Sequence, residues 1–180
     1  MIFTDNSFFI FFVAIFLLII IGSFAWGGIL AAPWVPLRKK DVKRMLTLAS
    51  LQKGEKLVDL GCGDGRIILT ATNTYGTVST GYEIALLPFI LCYFKILALG
   101  FRKKTKVRMK NFFHQDLSGY DVVTLFLTPK AMAKLGEKLK KELKPGSRVL
   151  SYAFHIPGWE PDEKDKPSTD GVTIYKYKIK

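Results

Sequence analysis

Two carboxylates and three glycines stand close together in the stretch VDLGCGDGR, residues 58–66. Short apolar runs flank this stretch, which is typical of a turn between a strand and a helix. Glycine in such a turn lets a ligand approach the backbone closely. In a dinucleotide site the pattern is G-x-G-x-x-G and a pyrophosphate sits at the helix N-terminus, where Asp59 and Asp64 would repel it. The two carboxylates instead suit a ligand with a positive group, such as the amino group of a methionine moiety.

Further polar side chains follow in an order that suits a nucleoside. Glu83 ends the stretch TGYE, about 20 residues after the turn, where an acid typically hydrogen-bonds ribose hydroxyls. Gln115 and Asp116 precede the apolar run DVVTLFL, where they are placed to contact an adenine edge. The alternative is that the glycines only make a tight turn and that Glu83 is a solvated strand end. The offset of the acid favours a nucleoside-containing ligand, because turn chemistry alone does not predict it.

Strand-like and helix-like segments alternate along most of the chain. The predicted strands are residues 57–60, 77–82, 106–112, 121–127, 148–154 and 172–179. The predicted helices are residues 41–49 with Asp41 as N-cap, 66–72, 85–100 and 131–143. This alternation indicates an α/β fold with a doubly wound, mostly parallel sheet, whose ligands bind at the carboxyl ends of the strands. Residues 157–171 are predicted to form a polar loop.

A long apolar segment precedes this domain. Residues 7–37 contain no charged side chain, and residues 8–30 are almost wholly apolar, enough for one transmembrane helix of about 20 residues. A cleaved signal peptide is the alternative, but a signal peptide typically has a positively charged start and a shorter apolar run than this segment has. The sequence therefore predicts an anchor at residues 1–32, a proline-containing basic elbow at 33–40 and one domain at 41–180.

The distribution of charge predicts orientation and partners. Basic residues follow the apolar segment directly: Arg38, Lys39, Lys40, Lys43 and Arg44. By the positive-inside rule we expect a single-pass membrane protein with its N-terminus outside and its domain in the cytoplasm. The net charge of +12 implies either nucleic acid or an anionic bilayer as a partner. Cys62 and Cys92 have neither a disulfide framework nor metal-ligand spacing, so we expect a reducing compartment and no metal.

Residues 85–110 offer a second contact with lipid. The apolar part, 85–100, is followed by a basic run that contains Arg102, Lys103 and Lys104. We expect a helix at the bilayer interface with the basic run on anionic headgroups; the alternative is a buried helix beside a solvated charge run. The bilayer is the favoured partner of the basic charge, and no nucleic acid is expected, because no basic groove with interleaved aromatic residues is visible.

The motifs taken together resemble a known family. VDLGCGDGR, GYE and the HQD…DVVTLFL series are similar to class I, seven-strand S-adenosylmethionine-dependent methyltransferases, which have a Rossmann-like fold. With PWVP, KLxxELKPGSRV and FHIPGWEPD, residues 8–162 resemble the membrane-associated protein-lysine methyltransferases that modify the ATP synthase c-subunit and the adenine nucleotide translocase, and their prokaryotic relatives. The chain departs from the family pattern in two places. Leu127-Thr128-Pro129 stands where many amino-methylating relatives have Asn-Pro-Pro-Tyr or a similar motif. The chain also ends with one predicted strand where a full seven-strand sheet has a hairpin, which predicts a sheet of either six or seven strands.

The resemblance implies S-adenosyl-L-methionine as the cofactor. Asp59 and the glycines would line its methionine part, Glu83 would bind the ribose hydroxyls, and Ile84 would lie against the adenine. Gln115 and Asp116 would bound the adenine, and the PWVP elbow would fold over the cofactor. The implied cofactor-binding residues are Pro33, Trp34, Val35, Pro36, Asp59, Gly61, Cys62, Gly63, Asp64, Gly65, Glu83, Ile84, Asn111, Phe112, Gln115 and Asp116.

Methyl transfer to an amine needs alignment more than a dedicated base, because an apolar channel lowers the pKa of an acceptor lysine. The candidates for this channel are Trp34, Thr128, Phe154 and Trp159, and His155 is a candidate proton acceptor. The alternatives are that Trp159 packs on the sheet and that His155 is structural.

Four functions compete on this sequence. The first is a membrane-anchored protein-lysine methyltransferase whose substrate has a lysine near the membrane. The second is a methyltransferase of a lipid or another membrane-soluble acceptor. The third is a cofactor-binding membrane module without catalysis, and the fourth, motivated by charge alone, is an RNA methyltransferase.

Overall fold

The computed structural model describes residues 5–169 and 171–180. Residues 1–4 of the predicted anchor and Asp170 of the predicted loop lie outside the described residues. The helices are α1 (Asp5–Leu30), α2 (Lys39–Leu48), α3 (Arg66–Tyr75), α4 (Leu86–Ala98) and α5 (Pro129–Glu142). The strands are β1 (Lys56–Leu60), β2 (Val78–Glu83), β3 (Thr105–Met109), β4 (Val122–Leu125), β5 (Arg148–Tyr152), β6 (Glu163–Asp165) and β7 (Ile174–Lys178).

The strands form one seven-stranded sheet in the order β3-β2-β1-β4-β5-β7-β6. β1 to β5 are mutually parallel, and β7 runs antiparallel to both β5 and β6. The order reverses between β1 and β4, so the switch point lies at the carboxyl ends of these two strands. The doubly wound fold is therefore confirmed, but the predicted polar loop contains β6, and the sheet is not one strand short. β6 was missed because its three residues, EKD, carry no apolar pattern.

Two apolar layers cover the sheet, one on each face. Alternate side chains of β1 enter opposite layers: Leu57 packs in the layer of α2, α3 and α4, whereas Val58 and Leu60 pack in the layer of α5. Period-two alternation along a strand produces this division. Both faces are buried, which explains the near-continuous apolar sequence of β4.

The start of α2 differs from the prediction. The helix begins at Lys39, so Asp41 lies inside its first turn and does not act as the N-cap. The carboxylate of Asp41 instead accepts hydrogen bonds from Arg44 (2.7 Å) and from the hydroxyl of Tyr152 (3.1 Å). A helix can begin before an acid when burial gives that acid other partners, as happens here.

Helix α1 projects away from the domain over most of its length. Residues 8–19 are all exposed, and Asn6–Leu30 is long and apolar enough to cross a membrane. Contact with the domain is made by its last turns, after which residues 32–38 have no regular structure. Pro33 and Pro36 account for this break in the helix.

Candidate cofactor site

The glycine turn between β1 and α3 lies at the switch point of the sheet. Gly61, Gly63 and Gly65 have φ values of +81°, +55° and +80°, a left-handed conformation that strongly favours glycine. A Cβ on Gly63 would lie 2.5 Å from Nε1 of Trp34, so the elbow passes directly over the turn. Three glycines alternate in the sequence because three alternate residues need this conformation.

Glu83 fastens the turn to the start of α4. One carboxylate oxygen accepts a hydrogen bond from the backbone N–H of Gly63 (2.8 Å), and the other accepts from those of Ile84 and Ala85 (both 2.8 Å). A carboxylate has about four acceptor positions, so about one remains for a ligand hydroxyl. Glu83 is therefore a structural clamp and is also placed to bind a ribose.

Asp59 is a buried carboxylate at the end of β1. Its side chain is 3% exposed and accepts a hydrogen bond from the hydroxyl of Thr124 (2.8 Å). Burial raises the pKa of Asp59 to about 7; the hydrogen bond from Thr124 opposes this shift, and the charges of Glu83 and Asp64 add to it. A desolvated carboxylate of this kind is stabilised by a cation that arrives beside it.

Asp64 has a different environment. Its carboxylate pairs with Arg66 (2.9 Å) and with Lys95 (2.6 Å). Burial acts to raise the pKa of Asp64, but the hydrogen bonds from Arg66 and Lys95 outweigh burial and lower it to about 2. The sequence-based argument that both carboxylates favour a positive ligand therefore needs correction: the charge of Asp64 is already balanced within the chain, and Asp59 is the carboxylate of this pair without a basic partner in the described residues.

A pocket opens between the turn, the elbow and the end of α1. Of the predicted cofactor residues, thirteen line it: Pro33, Trp34, Val35, Pro36, Asp59, Gly61, Cys62, Gly63, Asp64, Glu83, Ile84, Asn111 and Phe112. The other three lie elsewhere. Gly65 is the N-cap of α3 and lies against Cys92, Gln115 donates to the carbonyl of Asn111 (3.3 Å), and the exposed Asp116 accepts from the backbone N–H of Ser118 (2.9 Å).

The three predicted catalytic side chains are not brought into this pocket. Thr128 caps α5 and donates its hydroxyl proton to the carbonyl of Ala31 (2.7 Å). Trp159 packs edge-on against Tyr177 and beside Gly136 of α5, and His155 is exposed near Tyr175. These contacts are structural, and catalytic roles for the three residues stay predictions without support from the pocket lining.

Several lining residues escaped the sequence argument. They come from α1, from the ends of β2 and β4 and from the segment after β3: Phe24, Gly27, Leu30, Ala31, Tyr82, Lys110, Phe113, Phe126 and Leu127. The α1 residues carry no sequence signal for a binding site, because an apolar membrane segment and an apolar pocket wall have the same composition. Phe126 and Leu127 follow β4 directly, and the rule that ligands bind at strand carboxyl ends could have identified them.

The pocket has the chemistry that S-adenosylmethionine requires. Asp59 would supply a buried negative charge for the amino group of the methionine moiety, and Glu83 retains acceptor capacity that would serve a ribose hydroxyl. Ile84, Phe112 and Phe113 supply apolar surface for a flat base. The residues present therefore fit the cofactor that the sequence motifs imply.

Comparison with known proteins agrees with this geometry. The family model described as the ANTKMT methyltransferase domain matches residues 59–163. A protein-lysine N-methyltransferase of Saccharolobus islandicus is 39% identical over 150 residues, which cover 82% of this chain and 93% of that protein. The human lysine N-methyltransferase of the ATP synthase c-subunit is 32% identical over 145 residues, covering 79% of this chain but 60% of that protein.

A solved structure extends the comparison. An RNA methyltransferase from Salinibacter ruber in complex with S-adenosyl-L-homocysteine superposes with a TM-score of 0.77 at 35% identity, covering 81% of this chain and 94% of that one. S-adenosyl-L-homocysteine is what remains of S-adenosylmethionine after its methyl group has been transferred. With the matched family model, the lysine-methylating relatives and the fitting pocket, it follows that this chain belongs to the ANTKMT methyltransferase family and is an S-adenosylmethionine-dependent methyltransferase.

Proposed function

We propose that this protein is a membrane-anchored protein-lysine N-methyltransferase that acts on a membrane protein, at a lysine close to the bilayer surface. The observation that carries the proposal is the position of α1. Residues 8–19 of this helix are exposed and apolar, yet its last two turns form part of the pocket lining. If the exposed apolar end of α1 lies in the bilayer, the end that lines the pocket holds the cofactor close to the membrane surface. Methyl transfer would then take place next to the membrane.

The length of α1 sets the depth of the pocket. A bilayer core of about 30 Å needs about 20 helical residues, and a span that starts at Phe8 therefore ends near Gly27. Phe24 and Gly27 both line the pocket, so the pocket would lie at the boundary between hydrocarbon and headgroups. An acceptor lysine in the headgroup layer is then within reach.

Helix α4 supports the same placement. Leu87, Leu91, Phe94 and Leu99 are exposed apolar side chains on or just after this helix, and the exposed basic residues Arg102, Lys103 and Lys104 follow. An exposed apolar face beside basic charge is typical of a helix at an anionic bilayer surface. The basic residues at the end of the elbow, Arg38 to Lys40, would orient the domain toward the cytoplasm with the N-terminus outside.

The cofactor supplies an activated methyl group, and the residues of this chain bind and align the two reactants. In the transfer, the carbon–sulfur bond of the cofactor would break as a carbon–nitrogen bond formed on the lysine, and the amine would release one proton to solvent. Asp59 would hold the amino group of the methionine moiety, and Glu83 would hold the ribose. Alignment and exclusion of water account for most of such a rate enhancement.

An aromatic cluster next to the pocket would receive the lysine. Phe126 lines the pocket and contacts Tyr152 edge-on at 4.9 Å between ring centroids; on its other side it stacks on Phe154 at 6.5 Å. Aromatic faces attract the charged ammonium and also pack against the alkyl stem. Phe154 is 40% exposed, which suits the entrance of a channel.

Lysine is favoured as the acceptor by the relatives. Several proteins named as lysine N-methyltransferases, one of which this chain covers almost completely, outweigh one solved neighbour that is named as an RNA methyltransferase. The names of two relatives give the ATP synthase c-subunit and the adenine nucleotide translocase as acceptors. An enzyme that acts on soluble RNA also has no need of an exposed apolar helix such as residues 8–19 of α1.

The test is methyl transfer from radiolabelled S-adenosylmethionine to membranes of the source organism, with the full chain in lipid nanodiscs. At a cofactor concentration near the wild-type dissociation constant, Asp59→Asn should strongly reduce the label, whereas Glu137→Gln, at a side chain 84% exposed on α5, should not change it. Label on a lysine of a membrane protein supports the proposal. Label in the organic-solvent extract indicates a lipid acceptor, and label in RNA indicates an RNA acceptor. Absence of label with the cofactor bound indicates a module without catalysis, and each of these three results would overturn the proposal.

A further inference from the structure

The end of α1 is hydrogen-bonded to the start of α4. The hydroxyl of Ser23 donates to the carbonyl of Ile20 (2.7 Å) and accepts from the backbone N–H of Leu86 (3.1 Å). Leu86 is the first residue of α4. The N-cap residue of α4 is Ala85, which makes no side-chain capping hydrogen bond. The first N–H groups of a helix have no partner within that helix. A residue of α1 therefore caps α4.

One turn further, α1 packs closely on the same segment. A Cβ on Gly27 would lie 3.7 Å from Cγ1 of Ile84 and 4.0 Å from Cβ of Ala85. A side chain larger than alanine would therefore meet Ile84. Gly22 and Gly28 of the same helix face open space within 4 Å. Only one of these three glycines lies in a close contact.

The chain that leaves α1 is attached on the opposite side of the pocket. The carbonyl of Ala31 accepts hydrogen bonds from the backbone N–H (3.1 Å) and the hydroxyl (2.7 Å) of Thr128, at the start of α5. The segment from Ser23 to Ala31 thus bridges α4 and α5 across the switch point. Phe24, Gly27, Leu30 and Ala31 line the pocket along this bridge.

We infer that the end of α1 is a structural part of the cofactor site, so that S-adenosylmethionine affinity depends on how this membrane helix sits on α4. Ile84 is the residue that connects the two. Its backbone N–H is held by Glu83, its side chain lies beside Gly27, and it lines the pocket. A shift of α1 would move Ile84 and, through Glu83, the glycine turn. The inference concerns cofactor binding and holds for any methyl acceptor.

The experiment measures the dissociation constant of S-adenosyl-L-homocysteine by calorimetry, with the full chain in nanodiscs. Gly27→Leu is compared with Gly28→Leu, which adds the same side chain to the same helix one position away. We expect Gly27→Leu to weaken binding by about tenfold or more, since a Cβ at Gly27 would already lie in van der Waals contact with Ile84 and the rest of the leucine side chain would displace its neighbours. Gly28→Leu should stay within about twofold of the wild type. Equal effects of the two substitutions, or no effect of either, would overturn the inference.

A second pair of variants covers the case in which Gly27→Leu fails to fold. Ser23→Ala removes the hydroxyl that caps α4, and Ser23→Thr restores it. We expect weaker binding of S-adenosyl-L-homocysteine with alanine, by about threefold, and recovery with threonine. Equal affinity of the two variants would contradict the inference.

Failure of this inference is distinguishable from failure of the proposed function. Binding of S-adenosyl-L-homocysteine needs no acceptor, whereas the identity of the labelled product does not depend on which residues support the pocket. Lysine labelling with unchanged affinity in Gly27→Leu would leave the function and remove the inference. Label on another acceptor together with weaker binding in Gly27→Leu would keep the inference and remove lysine as the acceptor.

Discussion

The cofactor pocket has two walls of opposite character. The glycine turn, with Asp59, Glu83 and the Asp64 ion pairs, forms a polar wall that is tied together by hydrogen bonds and charge. The end of α1 and the elbow form an apolar wall that includes Phe24, Leu30 and Trp34. We call them the turn wall and the helix wall. The difference suggests separate tasks under the proposed function: the turn wall would bind the charged parts of the cofactor, and the helix wall would exclude water.

Trp34 joins the two walls. Its indole lies against Gly63 on one side, and its ring centroid is 6.1 Å from that of Phe24 on the other. A cofactor that approaches Gly63 must contact this indole or displace it. The intrinsic fluorescence of Trp34 is therefore expected to change when the cofactor occupies the pocket.

The largest effect should come from a methyl group in the turn wall. Gly65 has φ +80°, and a Cβ at this position would overlap Sγ of Cys92. Backbone strain and overpacking in Gly65→Ala should therefore lower the free energy of unfolding by about 4 kcal/mol. Gly54→Ala is the matched control, because Gly54 has φ +87° but open space around it. It should lose only about 1 kcal/mol. Urea denaturation measures both, and a similar loss in the two variants would show that the contact with Cys92 is not tight.

Asp59→Asn should separate stability from binding. The folded-state pKa of about 7 is above the ordinary value of 3.8, so the wild type loses stability as pH rises from about 4 to 7. At about pH 8 the cofactor-free variant should be more stable by on the order of 4 kcal/mol, since it has no buried charge, whereas at about pH 4 the two should match. Affinity for S-adenosylmethionine should fall by about 30- to 100-fold through loss of the charged partner. A variant less stable than wild type at the higher pH would contradict this account of Asp59.

The pH dependence of cofactor binding should follow the same carboxyl group. A positive ligand group binds ionised Asp59, so the dissociation constant of S-adenosylmethionine should rise as pH falls below about 7, by up to about tenfold per pH unit. Calorimetry from about pH 5.5 to 8.5, in buffers of different ionisation enthalpy, should also detect proton release on binding at about pH 6. Asp59→Asn should flatten the profile, and a slope that persists in that variant would assign the titration to another group.

The helix wall should behave differently. Phe24→Ala should weaken cofactor binding by about three- to tenfold through lost apolar contact. The ratio of the wild-type and variant dissociation constants should stay constant from about pH 6 to 8, because Phe24 contributes no charge. A ratio that changes across this range would show that the two walls are not independent.

The smallest effect is expected at Lys95. Its side chain is 44% exposed and pairs at 2.6 Å with Asp64, whose side chain is 10% exposed. Solvent screens the exposed ammonium, and Arg66 also pairs with Asp64, so we expect Lys95 to contribute about as little as a surface ion pair, about 0–1 kcal/mol. Lys95→Met should change cofactor affinity by less than about threefold, and added salt should remove the difference. A loss of about tenfold that survives in salt would indicate that Asp64 needs Lys95 to hold the turn.

The turn wall was largely predictable, and so was the elbow of the helix wall, whereas the part that α1 contributes was not. The positions of Asp59, the glycines and Glu83 follow from short-range patterns, in which a strand ends, a turn needs positive φ and an acid closes the next strand. Asp64 shows the limit of such patterns, since its partner Lys95 is 31 residues away. Of the four residues that the resemblance placed at the adenine, Asn111 and Phe112 line the pocket, whereas Gln115 and Asp116 do not.

The sequence by itself determined the α/β class, the glycine turn, the apolar segment and the methyltransferase motifs, because each of them is encoded by local spacing and composition. Only the tertiary structure decided that β6 completes the sheet, that Trp159 packs on α5 outside the pocket, and that the last turns of α1 line the pocket. These outcomes depend on contacts between segments far apart in the chain, such as Ser23 with Leu86 and Ala31 with Thr128. Composition shows that a segment is apolar, but what it packs against is decided when the whole chain has folded.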